Sequence, residues 1–426
     1  MREPVVFRKA RFVLTMDKGG VLENVDVRVQ DGKVNAVGPD LSQRGDEIID
    51  CSRSLVMPGL VNSHTHAAMV MFRGLNDDAP LQEWLRSMWA LEGKLKPEQE
   101  LLGAEMGFLE MARTGTTACM DQYGAEVGVK AAGKVGLRLA NGVPLITVWG
   151  GAKERLVKAR EFIREYRGHE RIIPIVNLHS IYTNDEETMI ECGKISKQEE
   201  VILHVHCSET RKEVFDNRRD KGRLGVEELD NNGCLWEKSV LVHMGWAASW
   251  EFNLVKERGA SLVHCPSSNQ KLATGGFFPF KDLKNLGVQV GLGTDGAASN
   301  NTLDMFREMK EMALLQKGQY WDPMACTAGD ALVSATISGN RILGLNGGKV
   351  VPGMNADLCV LDIGPGAGPL RKDNLLSAVV YSMNGNMVRT TMAGGDLIYN
   401  GGKMMDGSDL GERYAELSDK VLSELY

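Results

Sequence analysis

Between residues 55 and 345 the chain alternates short β-branched runs with longer stretches of helical periodicity. The runs fall at 55–63, 116–121, 138–143, 172–178, 201–207, 239–243, 261–264 and 288–294. Helices are predicted between them, for example over 97–113, 152–166, 185–197 and 303–315. Pro97 suits a first helical turn, and Asp185 heads a first turn rich in acid. Eight strand–helix units mean either a closed (β/α)8 barrel or a long open parallel sheet. Both ends read differently. Short strand patterns at 12–15, 25–29 and 34–37 are parted by Lys18-Gly19-Gly20 and Asp31-Gly32; those at 358–361, 387–392 and 397–400 alternate with Asn384-Gly385, Gly394-Gly395 and Gly401-Gly402. Neither end can bury a sheet alone. We therefore expect one small β-sandwich domain from residues 1–54 plus 346–426, beside a barrel over 55–345.

Composition narrows the class. The 426 residues are 43% hydrophobic and 25% charged, which excludes wholesale disorder. A net charge of −7 offers no basic stripe for nucleic acid. Eight scattered cysteines without a CxxC read as buried small hydrophobes in a reducing compartment. The N-terminus lacks the apolar run of a signal peptide, and no stretch approaches the ~18 apolar residues of a membrane span. A cytoplasmic protein with no membrane partner is expected.

The histidines decide between barrel and open sheet. His64 and His66 close the first run, His179 the fourth, His204 and His206 the fifth, His243 the sixth and His264 the seventh, while Asp295 closes the eighth. Only a barrel brings the ends of strands one, five and eight to one mouth, where such folds keep their active sites. Side chains at i and i+2 of a strand point the same way, so His64 and His66 can share one ion. His206 and Asp295 are natural completions of a three-ligand or four-ligand site. Spacing alone leaves His204 equivalent to His206. His169, in a polar segment, reads as a solvated loop residue.

The stretches Pro58-Gly59-Leu60-Val61-Asn62-Ser63-His64-Thr65-His66, His206-Cys207-Ser208-Glu209-Thr210, Leu241-Val242-His243 and Gly293-Thr294-Asp295-Gly296-Ala297-Ala298-Ser299-Asn300-Asn301 resemble the amidohydrolase superfamily. Within it the chain is similar to deaminases of S-adenosylhomocysteine, methylthioadenosine and related 5′-modified adenosines. The resemblance selects His206 over His204, which is left a second-layer or packing role. It implies a metal held by His64, His66, His206 and Asp295, zinc or iron(II). The fourth strand ends Asn177-Leu178-His179 without the lysine that binuclear members use, so one ion is expected. It further implies hydrolytic deamination. Asp295 would take the proton of the attacking water, Glu209 would protonate the ring nitrogen, and His243 would hold the attacking oxygen. Glu92 would bind the ribose diol, His179 the purine ring, Trp84 would form an apolar wall, and Ser299 would touch the substrate. His264 would order backbone at the mouth. The resemblance also leads us to expect a homo-oligomer, dimer or tetramer.

Two features leave the substrate open. Guanine deaminases and triazine hydrolases share most of these motifs, so an aminohydrolase of a free base or another azaheterocycle is the alternative. Some relatives follow Gly-Gly with an arginine for a homocysteine carboxylate, whereas here Gly150-Gly151 precedes Ala152, Lys153, Glu154 and Arg155. A non-catalytic assembly protein on the same fold is a remote third reading, because the full ligand set is retained.

Overall fold

The computed structural model describes residues 3–79, 81–364 and 367–425. Its centre is a closed ring of eight parallel strands. The first, Leu60–His66, pairs with Thr116–Asp121 on one side and with Asp295–Gly296 on the other. Round the ring follow Arg138–Asn141 with Pro144–Leu145, Ile172–Pro174 with Val176–Ser180, then Leu203–Cys207, Ser239–His243, Ser261–His264 and Val290–Leu292. The third, fourth and eighth strands are each broken in two. The parts belong to two hydrogen-bonded sheets that together complete the circle. These strands are buried on both faces, which explains their near-continuous apolar runs. Val61, Ala118, Met120, Ala140, Val242 and Val263 share one buried cluster that plugs the barrel.

The run at 55–63 conceals a domain change. Ser54–Pro58 pairs antiparallel with Leu358–Asp362 in an outer sheet, and the barrel strand starts only at Leu60. Gly59 makes the crossing possible, since a Cβ there would sit 2.2 Å from Thr117 Cγ2. That outer sheet has seven strands drawn from both ends of the chain. A four-stranded sheet (Lys33–Gly38, Val25–Gln30, Val5–Ala10, Glu47–Asp50) packs on it. Phe7, Val27, Val56, Leu358, Val360 and Met392 fill the core between the two sheets, so both termini build one β-sandwich. The C-terminal part is not only β. Helices Leu375–Tyr381 and Leu410–Leu425 return to the barrel, where Arg413 Nε donates to Glu105 of helix Pro97–Arg113 at 2.9 Å.

A buried ion pair joins the two bodies. Arg138 Nε, at the start of the third barrel strand, lies 3.1 and 3.2 Å from the two carboxylate oxygens of Asp357. The Arg138 guanidinium also donates to Glu170 O at 2.7 Å, and Gly394 N–H donates to Asp357 at 2.5 Å. Removing one partner of a buried pair leaves the other charge uncompensated. Arg138→Met is therefore expected to cost about 3 kcal/mol, read as a lower urea midpoint at fixed metal concentration. The double variant Arg138→Met/Asp357→Leu should recover most of that loss. No helix among the described residues is long and apolar enough to cross a membrane. All eight cysteines are buried and unpaired.

Candidate metal centre and active-site cavity

Strand ends at the C-terminal mouth assemble one cluster. His64 Nε2 lies 3.3 Å from Asp295 Oδ1, His66 Nε2 lies 3.2 Å from the same oxygen, and His206 Nε2 lies 3.2 Å from His64 Nε2. Donors about 2.1 Å from a tetrahedral ion stand about 3.4 Å apart, so these separations suit one small divalent cation. His64, His206, His243 and Asp295 also each place a donor atom within 4.8 Å of one another, which makes five candidates in all.

Hydrogen bonds on the far ring nitrogens separate them. His66 Nδ1 is 2.9 Å from Gln122 O, and His206 Nδ1 is 2.7 Å from His179 O. A carbonyl only accepts, so each Nδ1 carries the proton and each Nε2 keeps a lone pair for an ion. His243 is built the opposite way. Asn269 Nδ2 sits 3.1 Å from its Nδ1 and can only donate, so the proton resides on Nε2. His243 thus presents a donor N–H to the cavity and no lone pair. Hydrogen bonding therefore turns lone pairs of His66 and His206 toward the cluster and an N–H of His243 toward the cavity, while Asp295 Oδ1 lies within 3.3 Å of both His64 and His66. Three nitrogens and a carboxylate oxygen fit a borderline divalent metal, and this chain carries a divalent-metal site.

Local structure aims these groups. The ladder between the first two strands slips between Asn62 and Thr65, just where His64 must turn inward. Gly293 lets the eighth strand pass against His64, since a Cβ there would lie 2.8 Å from His64 O. Ser208, His243 and Asp295 hold φ of 51°, 76° and 60° at the ends of strands five, six and eight. Such left-handed non-glycine backbone costs about 1–3 kcal/mol each and persists where the fold over-determines it. Asp295 Oδ2 accepts from Ser268 Oγ at 2.5 Å and Ser299 Oγ at 3.1 Å, leaving Oδ1 for the cluster.

Glu209 follows the fifth strand. Glu213 pins its backbone, accepting from Ser208 N and Glu209 N at 3.0 Å each. The Glu209 side chain lies 3.9 Å (Oε1) from His243 Nε2, and burial raises its carboxyl above the ordinary range. Burial likewise pushes His179 down to about 3, so that ring is neutral. Its Nδ1 lies 3.0 Å from Thr183 Oγ1. Above the cluster opens a cavity of about 540 Å³, onto which Glu92, His179, Glu209, His243 and Asp295 all face. Glu92 accepts from Tyr123 Oη at 3.1 Å.

Three expectations need correction. Trp84 does not line the cavity; it is 5% exposed and packs in the apolar cluster beneath, so Trp89 and Leu85 form the wall from that helix. Ser299 does not reach the cavity either, because its hydroxyl is spent on Asp295. The His264 ring orders no backbone. It stacks on Phe278 at 4.3 Å, and neither ring nitrogen has a partner among the described residues. His169, as expected of a loop residue, accepts from Arg171 N and Ile172 N at 3.1 Å each. Arg155 lines the cavity and Lys153 does not. Sequence reasoning missed Asn269, Ser268, Tyr123, Trp149, Tyr182 and Glu213. Only Glu213 carried a readable signal, as the acid three residues after Thr210 in a capping box.

Comparison with known proteins agrees with this geometry. The model of the amidohydrolase family matches residues 55–398. The chain is 38% identical to a 5′-deoxyadenosine deaminase of Methanothermobacter thermautotrophicus over 419 residues, 96% of each chain. It is 37% identical to a 5-methylthioadenosine/S-adenosylhomocysteine deaminase of Pyrococcus furiosus over 411 residues, 93% of this chain and 94% of the relative. Among solved structures, an adenosine deaminase of Xanthomonas campestris with bound zinc superposes with a TM-score of 0.91 at 31% identity, covering 98% of both chains. A cluster of metal donors at the mouth of a closed barrel, and a family match spanning most of the chain, lead to one conclusion: this chain belongs to the amidohydrolase family and is a metal-dependent hydrolase.

Proposed function

We propose that this enzyme deaminates adenosine-type nucleosides with small or extended 5′-substituents, releasing ammonia and the inosine analogue. One observation carries the reading: Glu209, His243 and Asp295 line one cavity together with Glu92, and Glu209 lies 3.9 Å from His243. His64, His66, His206 and Asp295 would hold a single ion, zinc in our reading, with iron(II) the alternative. When bound there, a divalent ion supplies Lewis acidity that brings the pKa of a water toward ~7.

The chain's own groups do the rest. Asp295 accepts a proton from the attacking water as its oxygen adds to C6 of the purine, and His243 Nε2–H donates a hydrogen bond to that oxygen. Glu209, kept protonated more readily by its burial, delivers its proton to N1. Ammonia leaves with the proton that Asp295 took. The hydroxyl proton remaining on C6 restores the Glu209 acid, so one water is consumed and one ammonia released. Neutral His179, with Nδ1 turned to Thr183, can offer Nε2–H to the acceptor N3. Glu92 offers a carboxylate to the two ribose hydroxyls, and Tyr123 anchors it. Arg155 on the cavity wall supports a 5′-substituent that ends in an acid.

The test is ammonia release across adenosines, free bases and triazines, with Glu92→Gln as the discriminating variant. We expect kcat/KM for 5′-deoxyadenosine to fall about 30- to 100-fold, the worth of charge-assisted bonds to a diol. Activity on free adenine should be unmoved. Release from guanine or cytosine but from no adenosine would establish the free-base alternative instead. Buried, unpaired cysteines support a cytoplasmic setting. Exposed Leu314, Trp321 and Met324 support assembly with further copies of this chain.

A further inference from the structure

The three histidines of the cluster solve the same problem by different means. Each needs an acceptor for Nδ1–H if its Nε2 is to face an ion. His66 and His206 find backbone carbonyls, as described. His64 finds none: its Nδ1 lies 3.0 Å from Nε2 of His204, a fully buried side chain that does not line the cavity. The other His204 nitrogen, Nδ1, lies 3.1 Å from Asn177 Oδ1.

The direction of this chain of bonds follows from Asn177. Its Nδ2 lies 3.2 Å from Gly142 O and 3.3 Å from Asp121 O, both acceptors, so the amide nitrogen faces the carbonyls and Oδ1 faces His204. Oδ1 only accepts, so His204 Nδ1 carries a proton. Neither His204 nitrogen faces a carboxylate, so nothing there compensates a charged ring. The neutral ring then has its lone pair on Nε2, which accepts from His64 Nδ1–H.

We propose that Asn177 and His204 are positioning residues that lock His64 in the Nδ1–H tautomer, leaving its Nε2 as a metal donor. An imidazole nitrogen is a good acceptor, so the relay also strengthens His64 as a donor toward an ion. Asn177, His204 and His64 are all fully buried, so water does not compete for these bonds.

The proposal rests on the reading that a divalent ion sits at this cluster, and its test separates the two. Purified protein is titrated with Zn²⁺ against a competing chelator, for the wild type, His204→Phe and His204→Gln. Phe deletes both ring nitrogens. Gln retains an amide oxygen near the place of Nε2 that can accept from His64. We expect His204→Phe to weaken zinc binding about 10- to 100-fold, the usual cost of losing a partner behind a ligand, and His204→Gln to stay within about threefold of wild type. In parallel, ¹⁵N-histidine spectra of the metal-free wild type should show His64 and His204 both protonated at Nδ1. Two variants that bind like the wild type, two equally weakened variants, or His64 protonated at Nε2 would overturn the relay. A wild type that binds no zinc would overturn the metal reading alone, because the nitrogen spectra still judge the hydrogen bonds. They do so equally if His204→Phe fails to fold.

Discussion

Asp295→Asn should lower kcat for ammonia release from 5′-deoxyadenosine by at least about 10³-fold, the larger part of the range seen when a general base is lost. The amide cannot take a proton from water at neutral pH. It also replaces a charged oxygen, 3.3 Å from His64 Nε2 and 3.2 Å from His66 Nε2, with a neutral one. Metal content measured on the purified variant should therefore fall together with activity. Ser268 and Ser299 keep their acceptor in the substituted side chain, so the loop after strand eight should fold as before. Full activity in a variant that binds its metal normally would remove Asp295 from the mechanism.

Glu209→Gln separates catalysis from metal binding. Its carboxyl is held by Glu213 through the backbone and meets His243 at 3.9 Å, but it touches none of the four proposed ligands. We expect kcat to fall about 10²- to 10⁴-fold, as for loss of a general acid, while metal content stays at the wild-type value. The amide can still hydrogen-bond N1, so KM should move little. The sign of the pH effect follows from the raised carboxyl. Glu209 must give a proton, so activity is present below its folded pKa and declines as pH rises through it. Burial places that decline above the ordinary carboxylate range. The alkaline limb of kcat/KM should lose the Glu209 contribution in the Gln variant.

Much of this was legible because strands and metal sites both leave short periodic marks. Eight β-branched runs with chemistry at their C-terminal ends identify a barrel, and His64 with His66 two apart identify the side facing the ion. The boundary near residue 55 was misplaced because Ser54–Pro58 and Leu60–His66 are both apolar, and apolarity does not say which sheet a strand joins. Trp84 and Trp89 lie on one helix a little more than one turn apart. Pattern alone could not say which faced the cavity.

The chain alone records which histidines, carboxylates and strand ends come together: residue type and spacing point to His64, His66 and Asp295, and the family resemblance adds His206 and Glu209. Their protonation was set by contacts between strands far apart in sequence. Asn269 makes His243 a donor toward the cavity, the Gln122 and His179 carbonyls leave lone pairs on Nε2 of His66 and His206, and the proposed relay through His204 and Asn177 would do the same for His64. A neutral histidine ring has two tautomers close in energy until a neighbour occupies one nitrogen. That neighbour exists only once the barrel has closed.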